Sequence, residues 1–176
     1  GGSIRQPAAF CGLAGLRPSY GRVSRYGTIP MGSSLDTIGP IAKTVEDVAY
    51  LTSIIAGRDD RDMTTVSDAV PAYHLGLDQS IKGLRVGIPK EYFDIEGLND
   101  EVRQTVMDGI EMLRSAGATI VPISLPHTKY AIAVYYIIVP CEDSSNLARL
   151  DSLRYGVSRG GDSLVDLYTQ SRTHGF

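Results

Sequence analysis

The sequence predicts an α/β protein: part of a larger fold with a mixed β-sheet core covered by helices. Three observations carry that prediction. A strand–helix–strand unit occupies about 84–124, amphipathic segments with start and stop signals flank it, and the composition is that of an ordinary globular chain. Of the 176 residues, 43% are hydrophobic and 21% charged, a balance typical of soluble domains. A chain this long buries roughly 70% of its unfolded surface when it folds alone.

The central unit reads clearly. LRVGIPK (Leu84 to Lys90) has the make-up of a short buried strand ended by Pro89. Asn99 or Asp100 then caps a helix whose Val102, Val106, Ile110 and Leu113 recur on one face. Gly117 closes that helix, and ATIVPIS (Ala118 to Ser124) forms the second strand. Two strands joined through a helix pair in parallel, normally by a right-handed crossover.

Upstream, Thr44 is a good N-cap with Asp47 three residues on, close to a capping box. Val45, Val48, Ala49, Leu51, Thr52 and Ile55 line one side of the helix, and Gly57 supplies its stop. The following GRDDRDMTTVSDA reads as a surface loop whose alternating charges stay solvated. Downstream, HTKYAIAVYYIIVPCEDSSNLARLDSLRYG reads as helical. Pro140 is expected to break or kink it, with Ser144 or Ser145 capping a new segment. Leu164 to Arg172 carries a weak helical pattern.

The first 40 residues differ from the rest. Twelve of them are Gly or Pro, too many for a regular helix or a long strand. Apolar residues are nevertheless scattered through the stretch, so packed loops are expected, and ordered loops tend to carry sites. We therefore expect one partial domain over 1–176, with a nucleophile loop region at 1–40 and an α/β remainder at 41–176. Both ends read as cut, with upstream and downstream parts absent.

Net charge is −3 and no basic block occurs, which argues against an autonomous nucleic-acid binder. The two cysteines, Cys11 and Cys141, form no CxxC and have no neighbouring histidine. A disulfide framework or zinc site is not expected, and a reducing, cytoplasmic setting fits better. The apolar run from Tyr130 to Val139 is too short to span a bilayer.

Chemistry concentrates at the start. Without Cβ atoms, Gly1 and Gly2 can turn their N–H groups toward one point, where with that of Ser3 they would cradle an oxyanion formed by attack of Ser3 Oγ. On these three residues alone a flexible linker reads equally well. A Ser-His-Asp arrangement would have His74, His127 or His174 to draw on, but no GxSxG elbow is present. Neither cysteine has the histidine that a thiol nucleophile needs.

The continuation decides between these readings. Gly1, Gly2, Ser3, Ile4, Arg5 and Pro7 match, in order, the Gly-Gly-Ser-(Ile or Val)-Arg-x-Pro pattern of the amidase signature family, which the chain resembles. GLRPSYGRVSRYG, SSLDTIGPIAKTVEDVA, IAGRDDRDMTT, LRVGIPKEYF and LPHTKYAIAVYYIIVPCEDSSNLARLDSLRYG extend the resemblance over most of its length. The PHTKYA…YYI…SSNLAR run is most similar to the branch that feeds ammonia to tRNA-bound glutamate.

The resemblance implies a Ser–cis-Ser–Lys triad with Ser3 as nucleophile and Gly1 and Gly2 in its oxyanion hole. The second serine and the lysine of that triad lie upstream of this chain. Lys43, Lys82, Lys90 and Lys129 match no catalytic position, so these residues alone should be inactive. The resemblance further implies glutamine as ammonia source, the B and C subunits of an amidotransferase as partners, and Glu-tRNA(Gln) reached through a partner. ATP and magnesium serve the complex; the nucleophile-bearing chain needs neither cofactor nor metal. Tyr136 is implied beside the glutamine pocket, although helical spacing would also set one of Tyr135 and Tyr136 toward the core and the other toward solvent. Asn146 and Arg149 are expected in an intrahelical or loop-anchoring role, with a partner or RNA surface as the alternative. A stand-alone amidase acting on another small amide, or a non-catalytic α/β fragment, are the alternatives.

Overall fold

The computed structural model describes residues 2–175. Its elements are α1 (Gly2–Phe10), β1 (Ala14–Gly15), β2 (Ile41–Ala42), α2 (Val45–Ile55), β3 (Arg85–Pro89), α3 (Asp100–Ser115), β4 (Thr119–Ile123), α4 (Ala131–Leu147) and α5 (Leu164–Gly175). The chain divides into two compact units. Gly1–Leu75 with Tyr136–Phe176 form the first, and Gly76–Tyr135 the second. The mixed sheet expected from the sequence takes the form, within this chain, of two separate two-stranded sheets.

The second unit is the βαβ unit read from the sequence. Strands β3 and β4 pair in parallel, from Arg85 opposite Thr119 to Pro89 opposite Ile123. Asn99 caps α3, its Oδ1 accepting from the N–H of Glu101 at 2.8 Å and of Val102 at 3.2 Å. The helix ends in a reversed turn: Gly117 takes φ +98°, and Ala118 N–H donates to Leu113 O at 3.0 Å. Ile110 and Ala118 are buried there.

The first unit departs from expectation at its start. Residues expected as loop form α1, because the glycines and prolines crowd after residue 10 and leave only Gly2 and Pro7 within Gly2–Phe10. Pro7 lacks the N–H that would reach back to the Ser3 carbonyl. Packing compensates, with Ala8 buried and the end closed by Gly12 at φ +63° and a Leu13 N–H to Ala8 O bond of 2.8 Å. Strands β1 and β2 pair antiparallel, Ala14 opposite Ala42 and Gly15 opposite Ile41.

Helix α2 starts where the sequence places it, with Thr44 Oγ1 accepting from Asp47 N–H at 3.0 Å. Its buried face is narrower than expected: Val48, Ala49 and Thr52 are inside, whereas Val45 is 63% exposed.

The charged loop after α2 is not simply solvated. Asp59 accepts from Ser24 Oγ at 2.8 Å and from Arg61 N–H at 3.0 Å. Asp62 accepts from the N–H of Arg25 at 2.8 Å, and from Thr64 N–H at 3.0 Å and Oγ1 at 2.7 Å. These bonds hold both carboxyls below the ordinary carboxylate range, led by the Arg61 N–H for Asp59 and by the Thr64 hydroxyl for Asp62. Only the alternation of sign is visible in the sequence. That two of the aspartates cap the 21–26 loop depends on residues some 35 positions away.

Helix α4 also departs from expectation. It runs unbroken through Pro140, with Ser144 and Ser145 inside it and not capping a new segment. Tyr135 and Tyr136 are both exposed, at 49% and 67%, so neither is the core-facing member of a pair. Helix α5 covers the weak C-terminal pattern, and its fully buried Ser171 accepts from Arg159 N–H at 2.9 Å.

Candidate active site around Ser3

Ser3 is the second residue of α1. The first N–H groups of a helix have no intrahelical partner and form its positive end. Ser3 therefore lies in the first turn, among the unpaired N–H groups, where the helix field favours negative charge. Ser3 is exposed. Gly1 lies outside the described residues, so of the two expected oxyanion glycines only Gly2 can be located.

What fixes α1 is a pair of glycine seats under Ile4 and Ala8. A Cβ on Gly15 would stand 2.7 Å from Ala8 Cβ and 3.2 Å from the Ile4 carbonyl. A Cβ on Gly39 would stand 2.0 Å from Leu16 O and 3.0 Å from Ile4 Cδ1. Helix α1 thus lies on the backbone of Gly15 and Gly39, where no side chain intervenes.

Gly39 ends a loop that is held from several directions. The Ser33 carbonyl accepts from Tyr20 Oη at 2.9 Å and Arg25 Nη1 at 2.6 Å. The Arg25 guanidinium lies over the Tyr20 ring, 4.7 Å from its centroid. Arg17 Nη2 donates to Leu35 O at 3.1 Å, and Asp36 accepts from Met31 N–H at 2.8 Å and Gly32 N–H at 3.1 Å. From α4, Glu142 accepts from the Ser34 N–H at 3.1 Å and from its hydroxyl. Asn146 accepts from Ser33 Oγ at 2.9 Å and donates to Met31 O at 2.8 Å. Of the roles left open for it, Asn146 therefore has the loop-anchoring one. A cleft of about 270 Å³ opens beside this loop, lined by Arg25, Tyr26, Ser33, Asp36, Arg61 and Asp62 among others.

The Ser34 hydroxyl, followed by its N–H, holds the Glu142 carboxyl below its usual value. A depressed folded-state value means stability present above the unfolded-state range and lost as pH falls through the folded value. Glu142→Gln should therefore flatten part of the acid-side decline in denaturation midpoint. An unchanged pH dependence would show that this contact contributes nothing.

The other candidates lie elsewhere. His74 stacks on Tyr50 with centroids 4.1 Å apart, His127 lies against Tyr130 at 6.3 Å, and His174 Nδ1 is 2.8 Å from Gln170 O. Lys129 Nζ lies over Tyr130 at 4.9 Å. None of these contacts reaches Ser3. Tyr136 stands exposed on α4. Among the described residues no group of three or more His, Cys, Asp or Glu is arranged to hold a metal ion. Among them, too, no helix is long and apolar enough to cross a membrane. Sequence reasoning missed the Arg25 hub, whose local trace is Tyr20 five residues before Arg25 in SYGRVSRYG.

Helix α1 on its glycine floor, and the parallel βαβ unit, place the chain in the class of α/β proteins. The Amidase family model matches residues 1–176, and the chain belongs to that family. It is 57% identical over 176 residues to the A subunit of glutamyl-tRNA(Gln) amidotransferase from Paramagnetospirillum magneticum, covering 100% of this chain and 36% of that protein. The crystal structure of the A subunit of glutamyl-tRNA(Gln) amidotransferase from Thermotoga maritima superposes with a TM-score of 0.76 at 34% identity, over 98% of this chain and 37% of that one. The peptide amidase from Stenotrophomonas maltophilia superposes with a TM-score of 0.72 at 35% identity, over 98% of this chain and 35% of that one. The chain thus spans about a third of the length of the relatives it matches.

Proposed function

We propose that this chain is the nucleophile-bearing part of the glutaminase subunit of a tRNA-dependent amidotransferase. The observation that carries the reading is identity of 52–57% to curated A subunits of glutamyl-tRNA(Gln) amidotransferase, sustained across the chain. Ser3 at the positive end of α1 supports the chemistry. Ser3 Oγ attacks the side-chain amide carbon of glutamine while its proton passes to a base. The resulting oxyanion is held by N–H groups at the helix start, Gly2's among them, with Gly1 the further donor that the family pattern implies. On collapse the amide nitrogen takes up that proton from the base and leaves as ammonia, with a glutamyl ester left on Ser3. Water then hydrolyses the ester to glutamate. The base, a lysine acting through a second serine in the family pattern, comes from outside these 176 residues.

In this reading the ammonia passes to the B subunit of the amidotransferase, with the C subunit completing the assembly. The B partner amidates glutamate on Glu-tRNA(Gln) with ATP and magnesium, in the cytoplasm. Tyr136 holds a polar group of the bound glutamine. The domain is one partial amidase domain, with its nucleophile region at 1–40 and the α/β remainder at 41–176.

The peptide amidase likeness supports a second reading, a stand-alone hydrolase of another amide. The two separate in one assay on the full-length enzyme. Glutamine hydrolysis that rises when the partner chains and Glu-tRNA(Gln) are added supports the amidotransferase. Comparable hydrolysis of varied peptide amides without any partner overturns it.

A further inference from the structure

We propose that Asn146 is a positioning residue for acylation, holding the nucleophile helix in register with α4; the inference rests on the reading of Ser3 as nucleophile. Asn146 is only 6% exposed, and its carboxamide is bonded at both ends within the protein. The oxygen accepts from Ser33 Oγ at 2.9 Å and the nitrogen donates to Met31 O at 2.8 Å, across 113 and 115 residues of sequence. One planar group thus satisfies a donor and an acceptor two residues apart, a demand that neither an ionised Asp nor Leu can meet.

What Asn146 grips leads to Ser3. Ser33 is the residue whose carbonyl also receives Tyr20 and Arg25. Asp36 closes the same loop on the N–H groups of Met31 and Gly32, so the segment is cross-linked from Met31 to Asp36. That segment runs on to Gly39, which lies against Ile4 and the Leu16 carbonyl and so beneath the first turn of α1. Displacing the loop displaces the floor next to Ser3. Tyr136, proposed to hold the substrate, lies ten residues before Asn146 in the same helix, or about 15 Å along its axis. Asn146 therefore ties the helix that carries the nucleophile to the helix that carries the substrate contact. Glu142, one turn earlier, braces Ser34 but is not buried, so water can replace it. Asn146 is only 6% exposed, so bulk water has no such access to its partners.

The test uses the full-length enzyme assembled with its partner chains. Asn146→Ala should lower kcat for glutamine hydrolysis by about 10- to 100-fold with KM within about threefold, since small misplacements of reacting groups cost that much. Asn146→Asp gives the signature that a mere structural brace would not. Its carboxylate repels the Met31 carbonyl, but once protonated it donates there while still accepting from Ser33. Its kcat relative to the parent should rise as pH falls, giving an acid limb that the parent lacks. A kcat for Asn146→Ala within twofold of the parent overturns the proposal. So does an Asn146→Asp profile parallel to the parent's, which is measurable even if the alanine variant folds poorly. Ser3→Ala in the same assay separates the failures. If it stays active, the nucleophile reading itself falls; if it is inactive while both Asn146 variants behave as the parent, only the positioning role falls.

Discussion

Replacing Ser3 by alanine in the full-length enzyme is expected to lower kcat for glutamine hydrolysis by about 10⁴- to 10⁶-fold, with little change in stability. The magnitude follows from the role of a nucleophile. Without the hydroxyl no acyl ester forms, and only the oxyanion donors and substrate binding remain to accelerate direct attack by water. The small effect on folding follows from position. Ser3 is exposed in the first turn of α1, so little packing depends on its side chain. Ammonia release measured against the melting temperature of the same protein checks both halves. Activity within tenfold of the parent would remove Ser3 from the mechanism.

The second large effect concerns stability. Gly39→Ala is expected to destabilise the protein by about 3 kcal/mol or more, at the upper end for overpacking, because the two nearest groups cannot give way. The intruding Cβ would stand 2.0 Å from the Leu16 carbonyl and 2.8 Å from the Pro18 ring. One is backbone and the other is conformationally locked, so the chain itself must shift. The shift reaches α1 through Ile4, and activity should fall with stability. Gly109 in α3 is the control, with nothing within 4 Å of its would-be Cβ. Alanine there removes unfolded-state freedom and should be neutral, or stabilising by up to about 1 kcal/mol. Equal denaturation midpoints for the two variants would contradict the account of Gly39.

The parts of this molecule legible in advance share one property: their determinants are close together in sequence. Asn99 caps α3 through residues two and three positions away, and Thr44 caps α2 through Asp47. Gly117 ends α3 because a glycine takes positive φ without a Cβ penalty. The Gly-Gly-Ser run marks a candidate nucleophile because the chemistry needs three consecutive residues. The expectation of loop over α1 fails for a related reason. A Gly and Pro content taken over forty residues describes an average, whereas this helix is decided over nine.

Ser3 as a candidate, the βαβ unit and its caps, and membership of the amidase family were all determined by the sequence alone. Tertiary structure decided what supports the candidate. It made Asp59 and Asp62 caps for a distant loop, seated α1 on Gly15 and Gly39, and joined Asn146 to Ser33. Those contacts link residues from 7 to more than 100 positions apart. Hydrogen bonds and van der Waals contacts act over a few ångströms of space. A string of residues reports such distances only where chain neighbours are also neighbours in the fold.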